Sequence, residues 1–388
     1  MKIQVDSSRL AKVCSLALKN IPSRTTLPII RNLHVVAEAD MLHVSSTDME
    51  TYTVHDVPAE VQMDGTPNAF CIDAVNITNL LMAIPSQPIV IELLERKDAT
   101  EAITFYVKIS HSCGTSELPA VSADEFPTLK LIQGEAHSVP TDVLVKSIQT
   151  CSFATLSDAE VKPSLAAVCL DFKESSMVAV ASNGSMMARL EHPDMGGNTV
   201  CYLIPKKALG LLKQALDAVL KDKDAKEVMI RKDDFNICFQ TEHSSIYFRQ
   251  IEQRYPNYDA VIPAKGTFRY EAVMNRQDVL SAITRTSIFA NPESMKLSFR
   301  FDGTKDYVAI IGECIEFATS SEEKVKCEFT ESAALTIALK ATALKEILTH
   351  MASEQVRFSL INFDRQVIIT EVNGNDGLLF LIMPMVLN

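Results

Sequence analysis

Leu344-Lys345-Glu346-Ile347-Leu348-Thr349-His350-Met351 sets apolar side chains at i, i+3, i+4 and i+7, the stripe of a helix that buries one face. The stripe returns in full at Ile77, Leu80, Leu81 and Ile84. It recurs in full or partial form at Leu10/Val13/Cys14/Ala17, Leu144/Ile148/Cys151, Leu209/Leu212/Leu216 and Leu280/Ile283. The spacing is roughly 66 residues, which marks an internal repeat. Polar or proline starters precede most copies: Asp6-Ser7-Ser8, Asp73, Pro140-Thr141-Asp142, Pro205 and Asn275, residue types that cap or open helices. After the helices come stretches of period two broken by turn residues. Lys296 to Phe301 runs into Asp302-Gly303, and Val228 to Arg231 runs into Asp233-Asp234, the pattern of antiparallel hairpins. One helix and a few half-buried strands cannot close a core alone, so adjacent units must pair their sheets and share a helical layer. The expected fold class is α+β, with three tandem two-unit domains over residues 1–133, 134–265 and 266–388.

The chain has 388 residues, 47% of them hydrophobic, which is enough for two or three cores. Neither a signal-peptide stretch at Met1 to Asp6 nor a run of about 18 apolar residues is present, so a cytoplasmic protein without membrane association is expected. Nine cysteines without a CxxC spacing, several on apolar stripes, read as buried thiols in a reducing compartment. No phosphate loop, dinucleotide fingerprint, zinc-protease or serine-hydrolase motif occurs. The eight histidines lack metal-ligand spacing, so no metal, cofactor or catalytic residue is expected. Asp222 and Asp224, in Lys221 to Lys226, read as part of a solvated loop and not as a catalytic carboxylate pair.

Two seams stand out: Asp124-Glu125-Phe126-Pro127-Thr128-Leu129 and Gln253-Arg254-Tyr255-Pro256-Asn257-Tyr258, where proline stops strand pairing and lets the chain cross to the next domain. With Thr26-Leu27-Pro28-Ile29, Asn32-Leu33, Ser46-Thr47-Asp48-Met49-Glu50, Val261-Ile262-Pro263 and the terminal Met383-Pro384-Met385, they resemble, in order and spacing, the bacterial sliding clamp family, the beta subunit of DNA polymerase III. The resemblance covers the whole chain. It implies a DNA-clamp fold and a head-to-tail homodimeric ring with helices around a central hole and sheets outside. It further implies a processivity factor without chemistry of its own, which encircles duplex DNA whatever its sequence. Its partners would be the DNA polymerase III alpha subunit, the clamp loader complex and other clamp-motif proteins of replication and repair, in the nucleoid-associated cytoplasm.

A formal net charge of −12 argues against tight groove binding, which depends on phosphate neutralisation. Basic residues nonetheless sit on five of the six helices, among them Arg9, Arg276, Arg285, Lys340 and Lys345. By themselves they read as solvated faces. The resemblance places Lys12, Arg24, Lys146, Lys206, Lys207 and Lys213 facing DNA, whereas Asp73 to Ala83 carries no basic residue.

For clients, the resemblance implies an apolar cleft that takes a peptide of the Gln-Leu-x-Leu-Phe kind. Its walls would be Leu165, Ser182, Gly184, Met186, Met187, Pro256, Val261, Leu381, Met383, Pro384, Met385 and Leu387. Methionines suit a cleft that repacks around different ligands, and they equally suit a domain core. The chain departs from the family at Ser182-Asn183-Gly184-Ser185-Met186-Met187, where Thr-Asp-Gly-His-Arg-Leu is usual, and at Val386, where Arg is usual. The dimer contact is implied to join sheet edges, here Lys108 to Leu118 with Cys113 and Thr115, and Arg285 through Ile288 and Phe289. Two other readings stay open: a clamp-like scaffold with altered clients, and an enzyme on repeated α+β units.

Overall fold

In the computed structural model, the chain is described over residues 1–97, 103–129, 132, 136–157, 161–221, 227–264, 266–330, 334–374 and 377–387. Asp222 and Asp224 lie outside the described residues. So do positions 133 and 265, beside the expected domain limits.

The helices form where the stripes are: α1 Ser7–Leu18, α2 Ala74–Ala83, α3 Thr141–Cys151, α4 Lys206–Lys221, α5 Arg276–Thr286 and α6 Ala341–Thr349. Their starts follow the starters. Asp6 accepts from the Ser8 and Arg9 amides at 3.0 Å each, Asp73 from Asn76 at 2.8 Å, and Asn275 from Gln277 and Asp278 at 2.9 and 3.1 Å. Each bond satisfies an amide with no partner inside its helix, a contribution of about 1 kcal/mol per cap. The Ser8 hydroxyl and these amides also hold the Asp6 carboxyl below its usual pKa.

Two compact units are present. One comprises Met1–Val145 with Lys207–Gln250, and the other Lys146–Lys206 with Ile251–Asn388. Each carries one antiparallel sheet, of 13 and 12 strands. The middle third of the chain contributes strands to both. In the first unit, Ser244–Phe248 pairs with Thr51–His55 and so continues the sheet of the N-terminal third. In the second, Met186–Leu190 pairs with Leu378–Ile382.

The stripes face these sheets. Leu10, Cys14 and Ala17 of α1 and Ile77 and Leu81 of α2 are buried with Ile3, Leu33, Val44, Ile72, Ile91 and Ile109. Each buried Leu or Ile contributes roughly 1.5–3 kcal/mol of transfer free energy. In the second unit, Leu297, Phe299 and Phe301 are at most 1% exposed while Lys296, Ser298 and Arg300 point away, the alternation of a half-buried strand. The first seam is packed: Phe126 stacks on His34 with ring centroids 4.7 Å apart, in a cluster with Tyr52, Cys238 and Tyr247. Seven of the nine cysteines are buried, Cys201 is half-buried and Cys113 is exposed. Among the described residues no helix is long and apolar enough to cross a membrane.

Candidate functional site

All twelve residues expected to line a client cleft fall in the second unit. Their centre is a hairpin turn. The Asn183 side chain accepts from the amides of Ser185 and Met186 at 3.0 Å each, and the Ser182 hydroxyl donates to the Met186 carbonyl at 2.9 Å while accepting from the Gly184 amide at 3.1 Å. Gly184 has φ +89° with open space around its Cα, so backbone conformation and not crowding demands glycine here.

The strands behind the turn pair Met187 with Leu381 and Met186 with Ile382. Successive residues of a strand point to opposite faces, so the two methionines part company. Met187 (3% exposed) and Leu381 (4%) join Tyr258 in one buried cluster, while Met186 lies on the other face, 8% exposed. Leu165 is buried as well. Met187 and Leu381 are therefore packed in the core behind the turn.

The C-terminal segment lies over the turn. The Met383 amide donates to the Ser185 carbonyl and the Met385 amide to the Ala338 carbonyl, both at 2.8 Å, so the backbone on either side of Pro384 is held. Met383 and Leu387 stay exposed at 41% and 37%, with Pro384 and Met385 half-buried. Val386, at the family's arginine position, is 78% exposed.

Pro256 and Val261 are exposed on the segment that closes the second seam. Tyr258 anchors this segment through its hydroxyl, which donates to Asp171 at 2.5 Å, and burial together with that bond raises its pKa. Lys173 sits 2.9 Å from Asp259 and 5.1 Å from the centre of the Tyr258 ring. Gln366 donates from Nε2 to the Val261 carbonyl at 2.9 Å. Sequence reasoning named Tyr258 only as part of the seam and missed its anchoring role, Lys173 and Gln366, because only tertiary pairing brings positions 171, 173 and 366 beside 258–261.

All six residues expected to face DNA are exposed, but they are not equivalent. Lys207 pairs with Asp48, whose side chain is only 5% exposed and also accepts from the amides of Glu50 and Thr51. Lys12, Arg24, Lys146, Lys206 and Lys213 have no ion pair among the described residues. Lys12 lies on a groove of about 560 Å³ that is mixed in sign, with Arg9, Asp56 and Glu242 on its walls. The basic residues of α5 and α6 are largely occupied. Arg276 donates to the carbonyls of Ser353 and Leu348, Lys345 to the Ser287 hydroxyl, and Arg285 pairs with Glu323.

The expected sheet edges need one correction. Arg285 lies in the last turn of α5, and Ser287–Phe289 is a single 3₁₀ turn, so this segment offers no strand edge. The Asn275 cap and the Val279/Ala282/Ile283/Thr286 buried face carry the helix up to Thr286. Ile288 and Phe289 remain exposed beside it, at 75% and 39%. The edge lies instead in Thr319–Phe329, which pairs with Tyr307–Cys314 on one side but with Tyr270–Asn275 only at Cys327, Glu328 and Phe329 on the other. Gly114–Ser122 has the same form. It pairs with Ile103–His111 on one side and, on the other, with Ala69–Asp73 only at Ala120, Val121 and Ser122. Among the described residues, Thr319–Lys326 and Gly114–Pro119 thus each leave one side unpaired. Cys113 and Thr115, both exposed, lie at the tip and start of the second edge. The polar, charge-rich run Thr319 to Lys326 was a readable edge signal.

Comparison with known proteins agrees with this architecture. Residues 1–130 match the N-terminal domain, and residues 259–386 the C-terminal domain, of the DNA polymerase III beta subunit. The beta sliding clamp of Synechococcus elongatus is 24% identical over 390 residues, covering 99% of each chain, and that of Pseudomonas aeruginosa 25% identical over 392, covering 99% of this chain and 100% of its own. A solved Pseudomonas aeruginosa sliding clamp bound to griselimycin shares the fold with a TM-score of 0.87 at 22% identity, each chain covered completely. With two of its domain models matched in order over about two-thirds of the sequence, this chain belongs to the DNA polymerase III beta subunit family, the beta sliding clamps.

Proposed function

We propose that this chain acts in the cytoplasm as a replication clamp. Two copies close head to tail into a ring around duplex DNA, each contributing clamp domains 1–133, 134–265 and 266–388, and the ring tethers the DNA polymerase III alpha subunit and other clamp-motif proteins after the clamp loader has placed it. The half-free strands supply the closure: Gly114–Pro119 of one copy extends the sheet at Thr319–Lys326 of the other, pairing amides and carbonyls that each copy leaves open. Lys12, Arg24, Lys146, Lys206 and Lys213 supply a modest positive lining, which lets an acidic ring slide without gripping.

The observation that carries the tethering role is the C-terminal segment, whose backbone is held at Met383 and Met385 while Met383 and Leu387 keep apolar surface in solvent. A flat apolar ledge on a fixed backbone suits a short client peptide, because little conformational entropy is lost in forming the site. Fluorescence polarisation with a labelled Gln-Leu-x-Leu-Phe peptide tests it. Micromolar binding that is lost in Met385→Ala supports the tether. No binding to the unaltered protein would leave a clamp-fold scaffold with other clients.

A further inference from the structure

The hairpin joining Tyr307–Cys314 to Thr319–Phe329 turns through Ile315-Glu316-Phe317-Ala318, and Ile315 is 91% and Phe317 66% exposed. Among the described residues no large apolar side chain is more exposed than Ile315, and turn tips normally carry polar residues. They do not stand alone. The Thr319 hydroxyl donates to the Phe289 carbonyl at 3.3 Å, which ties the base of the hairpin to the turn bearing exposed Ile288 and Phe289. The two turns that carry four exposed apolar side chains are therefore neighbours where the open edge Thr319–Lys326 begins, an arrangement that marks an interaction surface.

Strand register shows what would meet this tip. If Thr319–Lys326 pairs antiparallel with Gly114–Pro119 of a second copy, Thr319 falls opposite the Pro119 end. The tip then projects past Pro119, where the open edge stops because Ile72 pairs with Ala120. Strand Ala69–Asp73 ends there and α2 begins. The first turn of α2 presents Val75, 50% exposed, on the helix that carries no basic residue. The charges within the two surfaces are Glu316, between Ile315 and Phe317, and Asp73, which caps α2 by accepting from the Asn76 amide at 2.8 Å; along the two edges Glu117 is paired with Arg96 at 2.6 Å and Glu323 with Arg285, each within its own copy.

We infer that Ile315 and Phe317 are an apolar anchor of the contact between two copies, seated against the Asp73–Val75 corner of the facing copy and extending the strand pairing beyond its edge. The inference rests on the ring reading above and identifies the residues that hold the ring shut.

Sedimentation velocity over a concentration series tests it on the full chain, with an Ile315→Ser/Phe317→Ser double variant and, separately, Val75→Asp. The substituted side chains are exposed within one copy, so far-ultraviolet circular dichroism spectra should match the unaltered protein and show that the variants fold, whereas melts would shift with the dimer. The expected result is a dimer whose dissociation constant rises at least tenfold in the double variant and in Val75→Asp. A dimer in the unaltered protein with an unchanged constant in the double variant would overturn the anchor and leave the ring standing. A monomer at all concentrations in the unaltered protein would overturn both. A loss in the double variant with none in Val75→Asp would overturn the assignment of the facing corner.

Discussion

Acid should loosen the first unit through His55. This side chain is 2% exposed in the strand Thr51–Pro58, where the sheet of the N-terminal third meets Ser244–Arg249, and its Nδ1 lies 2.8 Å from the Ser244 hydroxyl. Burial pushes its pKa down from 6.5 to about 4. The unfolded chain therefore takes up the proton first as pH falls, so the stabilisation is whole above about 6.5, declines between 6.5 and 4, and is gone below. The gap is worth ~3.4 kcal/mol in full, of which ~2 kcal/mol is lost by about pH 5. That is a large share of a typical domain's stability. Urea unfolding followed by far-ultraviolet circular dichroism at about pH 7.5 and 5 would measure it, with His55→Gln as the reference that keeps a polar partner for Ser244 but cannot charge. The unaltered protein should lose ~2 kcal/mol more than the variant over this interval. Burial also lowers the His34 pKa, but that contribution is common to both proteins and cancels. Equal losses in the two would refute the argument that a neutral buried imidazole supports this junction.

Other substitutions separate the buried core from the proposed ledge and charge from support. Leu381→Ala should cost roughly 2–5 kcal/mol by opening a cavity beside Met187, read as a lower melting temperature, whereas Met383→Ala should stay within about 0.5 kcal/mol while weakening the client peptide. Tyr258→Phe removes the donor to Asp171 and should cost about 1–2 kcal/mol, with peptide affinity falling severalfold because the 258–261 turn loses its anchor; unchanged polarisation titrations would argue against that coupling. Lys12→Ala should reduce the salt dependence of duplex binding by about one counterion. Lys207→Ala should act mainly by lowering thermal stability, since it strands the buried Asp48 carboxylate, and a melt identical to the parent would show that the pair contributes nothing.

The local order of this protein was written in its sequence. Helical stripes, the caps at Asp6, Asp73 and Asn275 and the alternation of Lys296 to Phe301 depend on neighbours a few residues apart, and the motifs from Thr26 to Met385 identified the family because they keep its order. What lay beyond the sequence was every fact set by pairing across long separations. Only the folded sheets divide the middle third between two units, turn Met186 and Met187 to opposite faces, bind Tyr258 to Asp171 and Lys207 to Asp48, and leave Thr319–Lys326 rather than Arg285–Phe289 as the open edge. Periodicity fixes which side of an element is apolar. Which surface covers that side, and which stays bare for a partner, is decided by strand register, a long-range choice among neighbours that a one-dimensional pattern does not encode.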